Sequence, residues 1–451
     1  MRDLGFILYL VLLVGLGFKR PFLFVLAFAY IDIVQPQRLS YYLLNSVQVS
    51  LIVAALAFVA WAMFDSKKGA RFAPRQGLML LLLIYAFCTT QYADFPLEAQ
   101  DKWNWASKAL IWSIFLPLAL RTRLRIEAYL LFAIVSASAI FIVGGIKTAI
   151  SGGGYGTQIF MLNDNTGLYE GSTGSTFAIA IIPLILWFCR HGTIFPPDWR
   201  VKLFAGNLIF ACLLIPVGTA ARTGMLCIAA LAAMVMRDMK RRVGYVFLVV
   251  AASLAAIPML PSDFTGRMDT IAGYEADSSA TTRLAIWAWT WDYAQRNPWG
   301  GGFDAYRSSK ITVETKAVQA SGAVASVQAR TEEDASRAYH SSYFEMLGEQ
   351  GFPGLILFLL IHVGGLVRME IVRRRFKKAE GDQAWISPLA TALQHTHIIY
   401  LIGSLFVGIA FQPFAYLLVA VQIGLDNTVN SKARVKTPIV LKSAVVIGPS
   451  G

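Results

Sequence analysis

Charge is scarce in this chain. Only 15 % of its 451 residues are Asp, Glu, Lys or Arg and 56 % are hydrophobic, whereas a soluble domain is about one quarter charged. A water-soluble enzyme is therefore excluded. The apolar runs also lack period-two alternation, which excludes the strands of a membrane barrel. Cysteine is sparse: Cys88, Cys189, Cys212 and Cys227 all fall within or at the end of apolar runs. Neither a disulfide framework nor a metal-ligand spacing follows from them. The first apolar run has no small-residue cleavage site and leads directly into more hydrophobic sequence, so a cleavable signal peptide is not expected. There is no internal repeat and no low-complexity tract. The runs Gly152-Gly153-Gly154 and Gly300-Gly301-Gly302 lack the strand–turn–helix context and the following Gly-Lys-Ser/Thr of a nucleotide-phosphate cradle. No carboxylate cluster has metal spacing. The net charge of +13 raises the question of nucleic acid, but the cations sit in short clusters between apolar runs. A basic patch with interleaved aromatics on a soluble domain is missing, so nucleic acid is rejected as a partner.

What the chain has is apolar runs approaching the roughly 17–25 residues that cross a bilayer as a helix. Lipid cannot satisfy backbone groups, so such segments must be helical. The expectation is an all-α polytopic membrane protein of about 12–13 transmembrane helices with one long outer loop carrying surface helices. The segments are read at about 4–18, 21–34, 47–64, 78–91, 106–120, 128–150, 174–189, 203–219, 224–236, 243–260, 352–367, 388–408 and 413–426. Basic clusters occupy every second connection: Lys19-Arg20, Lys67 to Arg75, Arg121 to Arg125, Arg190 to Lys202, Arg237 to Arg242, Arg368 to Lys378, and Lys432 to Lys436. Such alternation is what the positive-inside rule produces when all of them are cytoplasmic. The connections 35–46, 92–105, 151–173, 219–223, 261–351 and the turn near Gln412-Pro413 then face outward. Loop 151–173 contains no Lys or Arg, as required. Loop 261–351 carries eight Lys/Arg and twelve Asp/Glu, 8 − 12 = −4, which leaves 13 + 4 = +17 for the rest. The first two segments, interrupted by Lys19-Arg20-Pro21, read either as a hairpin of two tilted spans or as a partly re-entrant unit. The organisation is thus 1–260 N-terminal helices, 261–351 outer loop, 352–426 C-terminal helices, and 427–451 a disordered cytoplasmic tail.

The long outer loop is the one stretch polar enough for a site. Ser278 to Pro298 reads as a membrane-surface helix, capped by Ser278 or Ser279, with Trp287, Trp289, Trp291 and Tyr293 at headgroup level. Asn297 to Phe303 makes a sharp, flexible turn. A second helix is expected from about Ser336 to Gln350, with Gly351 as its C-cap and Pro353 preventing continuation. His340, at the start of that helix, is the one histidine of five in an outer loop. It reads as a general base or as a plain surface histidine. Arg222 lies in the short outer connection Gly218 to Gly224, where the inside rule does not explain it. Arginine at membrane depth is a functional candidate suited to bidentate phosphate binding; snorkelling to outer headgroups is the alternative. Arg283 shares a helical face with Trp287 and Trp291, and an ordinary interfacial arginine would look the same. Asn163-Asp164-Asn165 reads as an Asx turn rather than a sugar contact, and Glu332-Glu333-Asp334 as a solvated acidic run.

Three signals fall in order on one side of the membrane. Arg222-Thr223-Gly224 follows a span. Arg283-x-x-x-Trp287 precedes Pro298-x-Gly300-x-Gly302-x-x-x-Tyr306. His340-Ser341-Ser342-Tyr343 precedes Glu345-x-x-Gly348-Glu349-x-Gly351-x-x-Gly354. Together with the long outer loop and the span count, they resemble the O-antigen ligase and polymerase superfamily, which includes bacterial protein O-oligosaccharyltransferases. The N-terminal half, with Lys19-Arg20-Pro21-Phe22 and Gln35-Pro36, looks most like O-glycosylation ligases associated with exosortase systems.

The resemblance implies a multi-pass protein of the bacterial inner membrane with its active site facing the periplasm. It implies a glycosyltransferase that moves a glycan from undecaprenyl diphosphate to an acceptor hydroxyl on a glycan, lipid or protein, with neither metal nor cofactor. By position, Arg222 and Arg283 would hold the diphosphate and His340 would activate the acceptor. Trp287, Tyr306 and Tyr343 would add substrate contacts. The family often has Asn after the histidine, where this chain has Ser341. Base on one side and leaving phosphate on the other would invert the anomeric centre. The rival readings are a polymerase of the same superfamily and a lipid-linked glycan transporter. Transporters typically show internal repeats and mid-span ionisable groups, and neither is evident here.

Overall fold

The computed structural model describes residues 2–40, 42–44, 47–151, 167–195, 197–237, 278–321 and 324–435. The expected segment 243–260, the runs 152–154 and 163–165 and everything after 435 lie outside the described residues. Helices dominate: α1 (Arg2–Lys19), α2 (Phe22–Val34), α3 (Pro36–Leu39), α4 (Val49–Phe64), α5 (Pro74–Gln91), α6 (Pro96–Ala119), α7 (Arg123–Ser151), α8 (Gly171–Ala180), α9 (Ile182–His191), α10 (Trp199–Gly218), α11 (Arg222–Arg237), α12 (Ser278–Arg296), α13 (Ser342–Arg375), α14 (Ile386–Gly403) and α15 (Pro413–Val435). The protein is an all-α polytopic membrane protein. By length and composition, α7, the joined α8–α9, α10 and α13 can each cross a bilayer, and α2, α4 and Arg222–Met236 are shorter apolar helices.

The breaks have local causes. Pro21 precedes α2, and Gln35, held at φ 48°, turns the chain into Pro36 at the start of α3. Pro74 and Pro96 open α5 and α6, positions where the missing N–H has no partner to lose. Gln76 reaches back to accept from the Ala73 amide at 2.8 Å, and Asp198 caps α10 through the Val201 amide at 2.9 Å. In α13, Gly351 (φ 62°) interrupts the helical geometry one residue before Phe352-Pro353. Close helix approach needs small residues in a bilayer: any side-chain carbon on Gly145 of α7 would collide with Ala211 of α10.

One end of the bundle is basic. Asp65 accepts from Arg121 and from Arg125, each at 2.6 Å. Arg123 pairs with Glu127 at 2.6 Å and donates to the His191 carbonyl at 2.8 Å. Three basic connections thus meet, as alternation requires. Along α6, Lys102 and Ala119 lie about 26 Å apart at 1.5 Å per residue, close to the thickness of a hydrocarbon core.

Several expectations are corrected. α6 begins at Pro96, ten residues before the predicted start, which puts Lys102 on a helix. α14 ends at Gly403 rather than near 408, and 404–412 form a turn. α15 continues to Val435, so the chain just past 426 is helical, not disordered. The helix expected from Ser336 starts at Ser342, because Ser336 (φ 58°) and His340 (φ 49°) have left-handed backbones incompatible with a helix. The outer loop also holds an antiparallel ribbon that was not predicted, β1 (Lys310–Ser321) with β2 (Val324–Ala335), in which Lys310 faces Ala335 and Ser321 faces Val324.

Candidate active site

At the end of the bundle away from the basic connections lies a cavity of about 940 Å³. Its wall is assembled from distant stretches: the start of α6, the turn into α8, the turn Thr219–Thr223, the outer loop, and the turn 406–412. Arg222, Arg283, Tyr306 and His340 all line it. Arg222 opens α11 after Ala220, whose φ of 47° makes the turn tight. Arg283 projects from the second turn of α12.

His340 sits at the junction of the outer loop and α13. Its backbone is left-handed, and Ser341 after it is extended and begins the helix. Ser342 anchors the junction: its amide donates to the Ser404 carbonyl at 2.8 Å and its hydroxyl to the Val407 carbonyl at 2.9 Å. The imidazole is pushed below its ordinary value by burial first, then by Arg283 and Arg337, with Glu170 opposing them. It is therefore neutral near pH 7, the state a base requires. Glu170 itself caps α8, accepting from the Ser172 amide at 3.0 Å and from the Thr173 amide at 2.6 Å.

Trp287 and Tyr343 are not on the cavity wall. The Trp287 ring stacks on Phe344 with centroids 5.1 Å apart and planes 7° from parallel, and its Nε1 donates to the Tyr339 carbonyl at 2.8 Å. Tyr343 donates to the Leu401 carbonyl at 3.1 Å. Both brace the segment that carries His340. The face of α12 that packs inward holds Ile286, Thr290, Tyr293 and Ala294, while Trp291 is half exposed. Tyr293 donates to Asp94 at 2.5 Å.

The glycine turn is pinned rather than flexible. The Gly301 and Gly302 amides donate to the carbonyls of Gly348 and Glu349 at 3.1 and 2.9 Å, and Phe352 donates to the Pro298 carbonyl at 3.0 Å. The first two bonds use carbonyls that the break at Gly351 leaves without helical partners, and the third uses an amide freed by the same break. Gly300 (φ 88°) and Gly351 (φ 62°) press backbone to backbone, leaving no room for a side chain on either.

Sequence reasoning overlooked a charge cluster on the same wall. Lys102 Nζ lies 2.6 Å from Glu345, 2.7 Å from Glu349 and 3.8 Å from Asp304. Glu345 also accepts from the Ala410 amide at 2.9 Å, and Glu349 from the Asp304 amide at 3.1 Å. Burial raises the Asp304 carboxyl from its ordinary value, against the pull of Lys102 and Arg307. The signal for Lys102 was available: it lies in connection 92–105, which the alternation places outside, just as it places Arg222. Glu345 and Glu349 stand in the motif after His340, where spacing alone assigns them no role.

The wall carries four cations (Lys102, Arg222, Arg283, Arg307) and six carboxylates (Glu98, Asp101, Glu170, Asp304, Glu345, Glu349), so total charge does not by itself favour an anion. Placement matters more. Three carboxylates gather around Lys102, and Glu170 is taken up by the α8 amides. Among the described residues no group of three His, Cys, Asp or Glu side chains is arranged to hold a metal ion.

The family model described as O-antigen ligase matches residues 207–359, a span that contains Arg222, Arg283 and His340. Over that third of the chain the protein is similar to the O-antigen ligase family, which supports a place in the O-antigen ligase and polymerase superfamily. It is a membrane protein of the ligase or polymerase type, associated with glycosyl transfer. A family of unknown function (DUF5935) matches residues 1–193, which supply Lys102 and Glu170 to the same cavity. The superfamily match thus covers one part of the wall and the N-terminal family another. A comparison with curated proteins gives no match.

Proposed function

We propose that this protein is a bacterial inner-membrane glycosyltransferase. It transfers a glycan from undecaprenyl diphosphate to an acceptor hydroxyl in a cavity open to the periplasm. The observation that carries this reading is one cavity wall shared by the half-buried imidazole of His340 and two arginines from separate stretches of chain.

In the reaction, His340 takes the proton of the acceptor hydroxyl. The freed oxygen pair attacks the anomeric carbon, forming the new glycosidic bond. The bond from that carbon to the phosphate oxygen breaks, and its electron pair leaves on undecaprenyl diphosphate. Arg222 and Arg283 meet that charge where it grows, the arrangement in which preorganised donors contribute most. The proton on His340 passes to solvent. Attack opposite the leaving phosphate inverts the anomeric centre. The Lys102 cluster ties α6, the Asp304 turn and α13 together, which fixes that part of the cavity wall.

A product assay tests the reading. Purified protein, a lipid-linked glycan and an acceptor should yield the glycan joined as one block, with one undecaprenyl diphosphate released per transfer. A ladder of growing repeats on the lipid would favour the polymerase of the same superfamily, and no transfer to any hydroxyl acceptor would overturn the reading.

A further inference from the structure

A second cavity, of about 600 Å³, adjoins the first and shares Trp105, Gly167 and Gln412 with it. From this we infer a binding site for the polyprenyl chain of the lipid-linked donor, set in a groove between α2, α4 and α6; the inference rests on the transfer reaction proposed above.

The geometry of α6 relates the two spaces. Lys102 lines the first, Trp105 both, and Ala109 and Trp112 the second. Spacings of three, four and three residues keep them on one helical face. Ten residues of helix carry the wall about 15 Å from Lys102 toward the basic end of the bundle. The second cavity therefore lies deeper along the helix axis, where a lipid chain runs and a sugar does not.

Its walls repeat the pattern. α2 contributes Phe28 and Ile31, with Gln35 just past its end, and α4 contributes Leu51, Ala54 and Phe58 along one helical face. Leu51 of α4 and Ile111 of α6 are both wall residues and half exposed, at 51 % and 45 %. The groove thus opens sideways through apolar residues, the route by which a bilayer lipid enters.

The polar part of the wall suits an anionic head. It offers Arg38 and Lys108 against the single carboxyl of Asp32. Gln35 and Gln37 present side-chain oxygens that are buried without a hydrogen-bond partner among the described residues. A carboxamide can turn to donate its N–H₂ group instead. An apolar groove with a cationic, amide-lined mouth, continuous with the cavity that holds Arg222 and Arg283, fits a long hydrocarbon chain ending in a diphosphate.

The test uses the purified full chain in detergent or nanodiscs, with two donors that differ only in polyprenyl length. Ala54→Trp fills the groove and should lower the long-to-short ratio of kcat/KM at least tenfold. Ala55→Trp, an exposed position on the same helix, should keep the wild-type ratio. An unchanged ratio in Ala54→Trp overturns the inference even if transfer itself is confirmed. If the wild-type protein transfers from neither donor, the functional reading fails instead, and labelling decides the groove. A polyprenyl diphosphate with a photoreactive group in its chain should attach to α2, α4 or α6. Undecaprenyl diphosphate should compete with it and phosphatidylglycerol should not. Attachment elsewhere, or equal competition by phosphatidylglycerol, rejects the site.

Discussion

The indole Nε1 of Trp287 donates a 2.8 Å hydrogen bond to the carbonyl oxygen of Tyr339, the residue before His340. A helix in the outer loop thereby fixes the backbone that presents the imidazole. Trp287→Phe keeps a ring to stack on Phe344 but removes the donor. Leaving a largely buried carbonyl without its partner costs about 1–3 kcal/mol. The expected result is a kcat lowered roughly tenfold with KM little changed. A fall in KM-dependent binding alone would mean that Trp287 contacts substrate instead.

Arg222 is expected to act as a fork rather than as a bare charge. Arg222→Lys keeps the charge and loses bidentate geometry. Removing one such donor typically costs about 10²–10³ in kcat. The folded protein should accumulate normally while transfer falls by that order. A fully active lysine variant would mean that Arg222 serves as a membrane anchor.

The pH profile follows from the surroundings of His340. Burial, Arg283 and Arg337 push its pKa below the ordinary histidine value and Glu170 pulls it up. Activity needs the neutral form, so the acid limb of kcat/KM should fall below the usual imidazole pKa. Glu170→Gln removes the group that favours the charged form and should move the limb to still lower pH. Arg283→Gln should move it to higher pH while also weakening donor binding. Shifts in the opposite directions would exclude His340 as the titrating base.

Lys102 holds the carboxylates of Glu345 and Glu349 at 2.6 and 2.7 Å. Lys102→Met strands them in a buried wall, and breaking such a pair costs about 3–5 kcal/mol. A marked loss of thermal stability is expected, with partial rescue by Lys102→Arg. Undiminished stability in the methionine variant would show that the cluster is not held by charge.

Much of the bundle could be read from the sequence because lipid imposes a simple rule: long apolar runs must be helices, and cations mark one side. Arg222 stood out as an exception to that rule, and it lines the cavity. Lys102 obeyed the same logic and was passed over, because α6 extends ten residues beyond its apolar part and Pro96, not hydropathy, sets its start. The ribbon Lys310–Ala335 left no comparable signal, since its strands mix polar and apolar residues and pair with each other, and Ile311 packs on Ile286 apart from the main core. Trp287 was expected to touch substrate; its aromatic periodicity is equally that of a brace, and only the bond to Tyr339 distinguishes the two.

Sidedness is open to chemical labelling. With Cys88, Cys189, Cys212 and Cys227 replaced, Ala335→Cys at the end of β2 should react with an impermeant thiol reagent in spheroplasts. Ser66→Cys, beside the arginines around Asp65, should react only after lysis. The reverse pattern would invert the topology and with it the periplasmic placement of the cavity.

The central claim is that His340 is the acceptor base, and His340→Ala tests it most directly. With purified protein and a lipid-linked glycan, a positioned base accounts for about 10²–10⁴ in rate. Transfer should fall by that factor while the variant binds the donor as the wild-type protein does. Transfer at a near wild-type rate, or loss of donor binding in step with loss of transfer, would contradict the account.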